Sequence, residues 1–376
     1  MNAVWEAALA WSRAGCGAVV ARVVDSSSGR PRASGTALAV SESGQVVGSI
    51  SGGCVDGDIC ARAHAVIHGG GPEELRYDGA EGDLSSPGLP CGGWLDVFIE
   101  PLDKSLRAVL APLLAAIRRG YPVTLATVLS GAEHAVPRHT LIPAHAGDTI
   151  PAADASLDRV RALADTSTTR ILDIPGTDTA RDLRVFVQSF PAPPRMLVFG
   201  ADDFAAALTR IGRFLGYRVT LCDARPAFAT ASRFPAAHEV VVRWPHEYLA
   251  ATPVTESTVI CVLTHDAKFD VPLLAAALRS EAGYIGAMGS RRTHADRVRR
   301  LREVGVTEAE LGRLAAPTGL DLGADTPEET AVSIAAEIVA QRRNGSGARL
   351  RDLDMPIHRT GAAAESARCA ALRFGT

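Results

Sequence analysis

Two short stretches set thiols among glycines. "GSISGGCVDGD" spans residues 48–58 and places Cys54 directly after Gly52 and Gly53. "GLPCGGWLDVFIEP" spans residues 88–101 and places Cys91 directly before Gly92. Glycine is costly to order, so clusters of it mark backbone that bends sharply or lets something approach closely. A thiolate is a soft ligand and a sulfur relay, and successive glycine amides form a concave nest for an anion. The other reading of Cys54 is a small apolar residue packed in a tight turn. If Cys54 and Cys91 act together, their loops must share one rim. A strand over 45–50, a helix over 58–68 and a strand over 94–101 would hold them there as neighbours in one sheet. Cys16, Cys222 and Cys261 fall in apolar strands or turns and read as core.

A second chemical constellation lies further along. "MLVFG" (196–200) is an apolar strand whose glycine, Gly200, opens a helix, and Asp223 follows 23 residues later. That is where a dinucleotide fold carries its phosphate turn and the acid that binds ribose hydroxyls. The turn reads "GADDFAAA", so Asp202 stands where the second glycine should admit pyrophosphate. A carboxylate there repels phosphate and fills its space. Thr264, His265 and Asp266 end a later strand, and Gly289, Ser290, Arg291 and Arg292 end the next. A glycine and serine ahead of a helix with two arginines suit an anion, with solvated polar loops as the competing reading.

The elements that must position these residues follow from periodicity. "AVVARVV" (18–24), "TALAV" (36–40) and "QVVGSI" (45–50) are strand-like, and "WLDVFIEP" (94–101) alternates as a half-buried strand. "WSRAGCGAVVARVV" (11–24) resembles "AIRRGYPVTLATVL" (116–129), with Gly15 and Gly120 105 residues apart and Ala21/Ala126 and Val23/Val128 in the same register. Residues 104–190 therefore read as a pseudo-repeat that pairs into the N-terminal sheet, although helix–glycine–strand is a common pattern. After the stiff "PAPPR" (191–195), apolar strands at 196–200, 218–223, 239–243, 257–266 and 283–290 alternate with helices. That order predicts a parallel doubly wound sheet. A last helix opens on the capping box Thr326 to Glu329, with Ala331, Ile334, Ala335, Ile338 and Val339 as its buried stripe. The expected organisation is an N-terminal mixed α/β domain over 1–190, a Rossmann-like domain over 195–343 and an irregular tail over 344–376.

Bulk properties narrow the field. The chain has 376 residues, a formal net charge of −3 and 47% hydrophobic residues. No basic field invites nucleic acid or an anionic membrane, and no apolar run reaches a membrane span. The N-terminal helix lacks a basic n-region, which argues against a signal peptide. Seven widely spaced cysteines without C-x-x-C fit neither a disulfide framework nor the usual zinc or iron–sulfur signatures, and the cytoplasm is the expected compartment.

Together these motifs resemble the XdhC/CoxI family, accessory factors of xanthine dehydrogenase and related molybdenum hydroxylases. The resemblance covers nearly the whole chain. It rests on "GSISGGCVDGDI", "GLPCGGWLDVFIEP", "CDARPAFATASRFP", "THDAKFD", "YIGAMGSRR" and "GLDLGADTPEETAVSIAAEI", in that order. It implies a chaperone that binds the molybdenum cofactor (molybdopterin), assists its sulfuration and delivers it to an apo molybdenum hydroxylase, with a cysteine desulfurase as a further partner and a homodimer as the assembly. Carried over by motif, Gly52, Gly53, Cys54, Cys91 and Gly92 become the candidate cofactor site, with Cys54 as a candidate molybdenum contact. Arg32 and Gly35 match a neighbouring family turn. Gly200, Asp223, His265, Ser290 and Arg291 would be the cofactor-contacting residues of the Rossmann-like crevice. This chain departs from the pattern at Asp202 and at Ala315, where the family usually has a histidine. The alternative function is an NAD(P)-dependent oxidoreductase working in that crevice. A third reading, xanthine dehydrogenase itself, fares badly, since the expected clustered cysteines and length are lacking.

Overall fold

The computed structural model describes residues 2–27, 34–78, 89, 93–130, 138–143, 168–175 and 182–354. The chain divides into two compact units, Met1–Ala192 and Pro193–Thr376. Among the described residues no helix is long and apolar enough to cross a membrane.

In the first unit, helix Asn2–Arg13 (α1) leads into strands Ala18–Ser26 (β1), Ala37–Ser41 (β2) and Val46–Gly48 (β3). Helix Asp56–Ile67 (α2) and strands Glu73–Asp78 (β4) and Trp94–Pro101 (β5) complete an antiparallel sheet of order β3-β2-β1-β5-β4. Helix Lys104–Arg119 (α3) then leads into Val123–Ser130 (β6), His139–Pro143 (β7), Arg170–Ile174 (β8) and Leu183–Phe190 (β9), a second antiparallel sheet of order β7-β6-β9-β8. The middle segment thus builds its own sheet, which corrects its expected pairing into the N-terminal one; within it β6 lies between β7 and β9 as β1 lies between β2 and β5. Each central strand follows a helix and a left-handed glycine, Gly15 or Gly120, both at φ +74°. Each also breaks register near its end, between Val23 and Asp25 in β1 and between Val128 and Ser130 in β6. The breaks keep the same spacing as the two glycines.

Both faces of β1 are covered. Val19, Ala21 and Val23 pack with Ile59 and Ala63 of α2, whereas Val20 packs with Trp5 of α1 and Leu106 and Leu110 of α3. The same double coverage corrects the reading of β5 as half-buried. Its supposedly solvent-facing Phe98 and Glu100 are buried, Phe98 in a cluster with Val24 and Phe186. Alternation along one strand does not reveal that another sheet covers its polar face.

The second unit begins with Arg195–Phe199 (β10), Asp203–Phe214 (α4), Arg218–Asp223 (β11) and Glu239–Val242 (β12). It continues through Pro245–Ala250 (α5), Val259–Val262 (β13), Ala267–Leu278 (α6), Tyr284–Ala287 (β14) and Arg291–Glu303 (α7). Glu308–Leu311 (α8), Leu314–Ala315 (β15) and Pro327–Arg343 (α9) close it. All six strands are parallel, in the order β12-β11-β10-β13-β14-β15. Numbered from the first strand this is 3-2-1-4-5-6, the doubly wound dinucleotide-fold order. Met196 and Val198 of β10 enter one apolar cluster and Leu197 and Phe199 another, which explains the continuous apolar strand. The α9 capping box forms with both reciprocal bonds. Val339, expected in that helix's buried stripe, is instead 43% exposed. Residues 344–354 contain one 3-10 turn, Leu350–Asp352, and the rest of the expected tail lies outside the described residues.

A polar cluster is sealed between the two sheets of the first unit. Arg22 is fully buried and donates from Nη2 to Glu100 Oε1 at 2.5 Å and to Thr127 Oγ1 at 2.9 Å. Its Nη1 donates to Gln188 Oε1 at 3.3 Å, and Gln188 Nε2 donates to the Gly35 carbonyl at 2.9 Å. His139 Nε2 lies 2.8 Å from Glu100 Oε2. Burial pushes the Glu100 carboxyl up against the pull of Arg22, while burial and the Arg22 charge push His139 well below its ordinary value. A neutral imidazole donating Nε2–H to the carboxylate fits those directions. Removing one member of a buried ion pair strands the other charge, at a cost of about 3–5 kcal/mol. Arg22→Met should therefore destabilise the chain by about that much in urea unfolding, and Arg22→Met/Glu100→Met should recover most of the loss. A loss in the double variant equal to the sum of the Arg22→Met and Glu100→Met losses would show that the pair is not coupled.

Candidate functional site

The turn between β3 and α2 is built around one carboxylate. Asp56 Oδ1 accepts from the backbone N–H of Ile50 at 3.0 Å and of Ser51 at 3.1 Å, and from the Ser51 hydroxyl at 3.2 Å. Its Oδ2 accepts from Ser49 Oγ at 2.6 Å. The serines pass the constraint on: Ser49 Oγ accepts from Gly52 N–H at 2.8 Å, and Ser51 Oγ from Val55 N–H at 2.9 Å. Gly52 and Gly53 adopt φ +78° and +121°, where a side chain would be strained. A Cβ on Gly53 would meet nothing within 4 Å, so the turn has open space beside it. Cys54 is exposed at its crest, while Ile50 and Val55 on either side are fully buried. Burial opposes ionisation of Asp56, but the donors from Ser49, Ser51 and Ile50 together hold its carboxyl below the usual range.

Cys91 and Gly92 of the second thiol segment lie outside the described residues, as does Arg32. Their described flanks can be placed. β3 runs parallel to β1 and β5 antiparallel to it, with Ser26 opposite Leu95. The chain therefore leaves β3 and enters β5 at the same end of the sheet. The two strands are not neighbours, which corrects that expectation: β2 and β1 lie between them. Leu89, two residues before Cys91, is buried in the same apolar cluster as Ile50 and Val55. Gly35 is buried near this end of the sheet as the acceptor for Gln188.

The other thiols separate by burial. Cys222 and Cys261 are core, and burial pushes both up to about 12. Cys60 is raised by burial and by the Asp56 charge. Cys16, expected in the core, is exposed in the turn after α1. A glycine on each side there signals a turn, and turns face solvent.

In the second unit a cavity of about 560 Å³ lies at the carboxyl ends of β10 and β13. This is the point where strand order reverses, the usual ligand position of such sheets. Gly200 and His265 line it, and His265 is exposed. Gly200 sits at φ +114° with Thr264 N only 3.0 Å from the position of a Cβ, so a side chain there would be both strained and crowded. Asp223, the expected ribose reader, is fully occupied. It accepts from Ala201 N–H at 2.9 Å and from the Arg225 backbone N–H, Nε and Nη2 at 2.9, 2.9 and 2.7 Å. Burial works against its charge, but these donors hold Asp223 below the usual carboxylate range. Asp202 Oδ1 caps α4 by accepting from Ala205 N–H at 2.8 Å. Ser290 caps α7 in the same way, and it and the exposed Arg291 are absent from the cavity lining.

Several residues of these two places carry little signal in the sequence. Asp56 reads only as the aspartate after a glycine turn; "S-x-S" five to seven residues ahead of it is the usable sign. Arg225 stands two residues after Asp223 in "CDAR", close enough to form a local fork with it. Phe228, Arg233, Lys268 and Phe269 also line the cavity, and no spacing announces them. Thr264 hydrogen-bonds Asp270, which pairs with buried Arg297 at 3.0 Å, and Arg297 Nη2 donates to the Met288 carbonyl at 2.9 Å. That buried chain fixes the ends of β13 and β14.

Asp56→Ala should release the turn without unfolding the unit. Hydrogen bonds to a charged acceptor contribute about 1.5–3 kcal/mol, so amide exchange at Ile50 and Ser51 should accelerate roughly tenfold to a hundredfold. The lowered carboxyl stabilises above its unfolded titration range, and that contribution is lost as pH falls through the folded value. Acid unfolding of the variant should therefore be less steep than that of the parent. Unchanged exchange at both amides would remove Asp56 as the organiser of the turn.

Comparison with known proteins agrees with this architecture. A Bacillus halodurans protein solved as a xanthine dehydrogenase superposes with a TM-score of 0.67 at 23% identity, over 91% of this chain and 96% of its own, and establishes likeness of fold. A probable xanthine dehydrogenase subunit of Bacillus subtilis (strain 168) is 27% identical over 328 residues, 87% of this chain and 93% of its own. The molybdenum cofactor insertion chaperone PaoD of Escherichia coli (strain K12) is 26% identical over 328 residues, 87% of this chain and 84% of its own. The XdhC and CoxI family model matches residues 11–78 and the XdhC Rossmann domain model residues 196–338, together more than half of the chain, and the chain belongs to the XdhC and CoxI family.

Proposed function

We propose that this chain is an accessory factor of a xanthine dehydrogenase-type molybdenum hydroxylase that carries the molybdenum cofactor to the apoenzyme. The carrying observation is the exposed Cys54 thiol on a glycine turn whose backbone is pinned by Asp56. The cargo, molybdopterin with its metal, has a phosphate and a sulfur-ligated metal. Gly52 and Gly53 let backbone amides approach an anion, and Cys54 supplies a soft ligand. The open space beside Gly53 leaves room for cargo to reach the thiol. The names of the relatives from Bacillus subtilis and Escherichia coli favour the same reading.

An oxidoreductase using NAD(P) is disfavoured by two carboxylates. Asp202 takes the Ala205 N–H at the helix start where pyrophosphate would sit, and Asp223 has no acceptor left for a ribose diol.

Cys54→Ser should fold normally, because the side chain is exposed, and should lower both copurified molybdopterin and activation of the partner hydroxylase. Normal activation by the variant would remove the thiol from the mechanism. In titrations with NAD(P)H the unmodified chain should bind weakly. Asp202→Gly should bind roughly fivefold to tenfold tighter, since repulsion at a partly exposed site is worth on the order of 1 kcal/mol or slightly more. Tight binding by the unmodified chain would contradict the role given to Asp202.

A further inference from the structure

The carboxylates of the Rossmann crevice differ in what they have left to offer. Asp223 is saturated by Ala201 and Arg225. Asp266 is engaged by the Lys268 backbone N–H at 3.1 Å and by its ammonium at 3.0 Å. Asp203 is exposed to solvent on the first turn of α4. Asp202 is half-buried and lines the cavity, and only its Oδ1 is used; Oδ2 accepts from no described residue. Burial pushes the Asp202 carboxyl up, as expected for a carboxylate short of donors.

The same cavity has a flat wall. Phe228 is 44% exposed, and its ring carries the Arg225 guanidinium at 4.6 Å and the Arg233 guanidinium at 5.6 Å. Phe269, also on the lining, is buried with the Lys268 ammonium over its ring at 4.8 Å, so the open aromatic surface is that of Phe228. Aromatic rings and guanidinium planes are the surfaces on which heterocycles stack. A cavity of about 560 Å³ is in the range that encloses a small ligand.

We propose that this crevice binds a planar heterocycle presenting two adjacent N–H donors, the 2-amino-4-oxopyrimidine edge shared by pterins and guanine, with the Asp202 carboxylate as its reader and the Phe228–Arg225 wall as its stacking surface. The paired donors match the two oxygens of one carboxylate, as in the fork geometry of arginine. A heterocycle with a carbonyl in place of the amino group would set an acceptor against Asp202 and be rejected. Replacing the phosphate-turn glycine by aspartate thus exchanges an anion-binding turn for a donor-reading one. Pterin as the occupant rests on the cargo proposed above; the donor-pair chemistry itself does not, and it does not involve Cys54.

The test uses the full chain and two matched pairs of probes: pterin against lumazine, and guanosine against inosine, each pair differing at the 2-amino group. Calorimetric titration should show pterin or guanosine binding at least tenfold tighter than its partner. A preference within the pterin pair alone marks a pterin pocket, and one within the guanosine pair marks a nucleoside pocket; either supports the donor-pair reading. Asp202→Asn keeps a good helix cap and should fold, and it should bring the ratio close to one. Phe228→Ala should weaken every probe by a similar factor and leave the ratio intact. Equal binding within both pairs by the unmodified chain, or an undiminished ratio in Asp202→Asn, would overturn the proposal. Such a result would leave the Cys54→Ser measurement unaffected, so the two readings fail separately.

Discussion

The first unit depends on one buried charge. Arg22 stands on β1, where a fully covered strand would ordinarily carry an apolar residue, and it reaches across to Glu100, Thr127 and Gln188. Two sheets of matching connectivity could pack in several registers on apolar contacts alone, because hydrophobic burial is non-directional. Hydrogen bonds from one planar guanidinium to three strands tolerate few alternatives. The register that satisfies Arg22 also sets β1 against β2 and β5, and so fixes the end of the sheet from which the Cys54 turn emerges. The bond from Gln188 to Gly35 extends the same network to the segment between β1 and β2.

The second unit retains the dinucleotide fold while its contact residues have changed. Gly200 still makes the sharp turn, at a φ that would strain any side chain. The positions that would address phosphate and ribose have become a helix cap and a saturated carboxylate. The scaffold that gathers loop residues at the strand-order reversal does not depend on which ligand they serve.

Much of this is legible from pattern. The parallel sheet follows from apolar strands alternating with helices, and the α9 start follows from Thr326, Pro327 and Glu329. The Cys54 turn is visible because glycines, serines and a thiol cannot build a core. What stays hidden is nonlocal. Nothing in "WLDVFIEP" shows that Glu100 faces an arginine 78 residues earlier in the chain. The wide separation of β3 and β5 depends on β1 and β2 inserting between them, which a strand's own periodicity does not encode. Asp223 has the position of a ribose reader, and only the fold of "CDAR" onto itself shows that Arg225 has taken its acceptors.

The pinning of the Cys54 turn has a kinetic corollary. A segment whose amides are already held by Asp56, Ser49 and Ser51 loses little conformational freedom when something docks on it, so association needs no prior rearrangement. The same rigidity removes an exit route, because the turn has no slack with which to peel away from a bound group. If the turn carries cargo as proposed, transfer would proceed by an incoming acceptor that displaces the contacts one at a time, and the lifetime of the loaded state would then shorten as the acceptor's concentration rises.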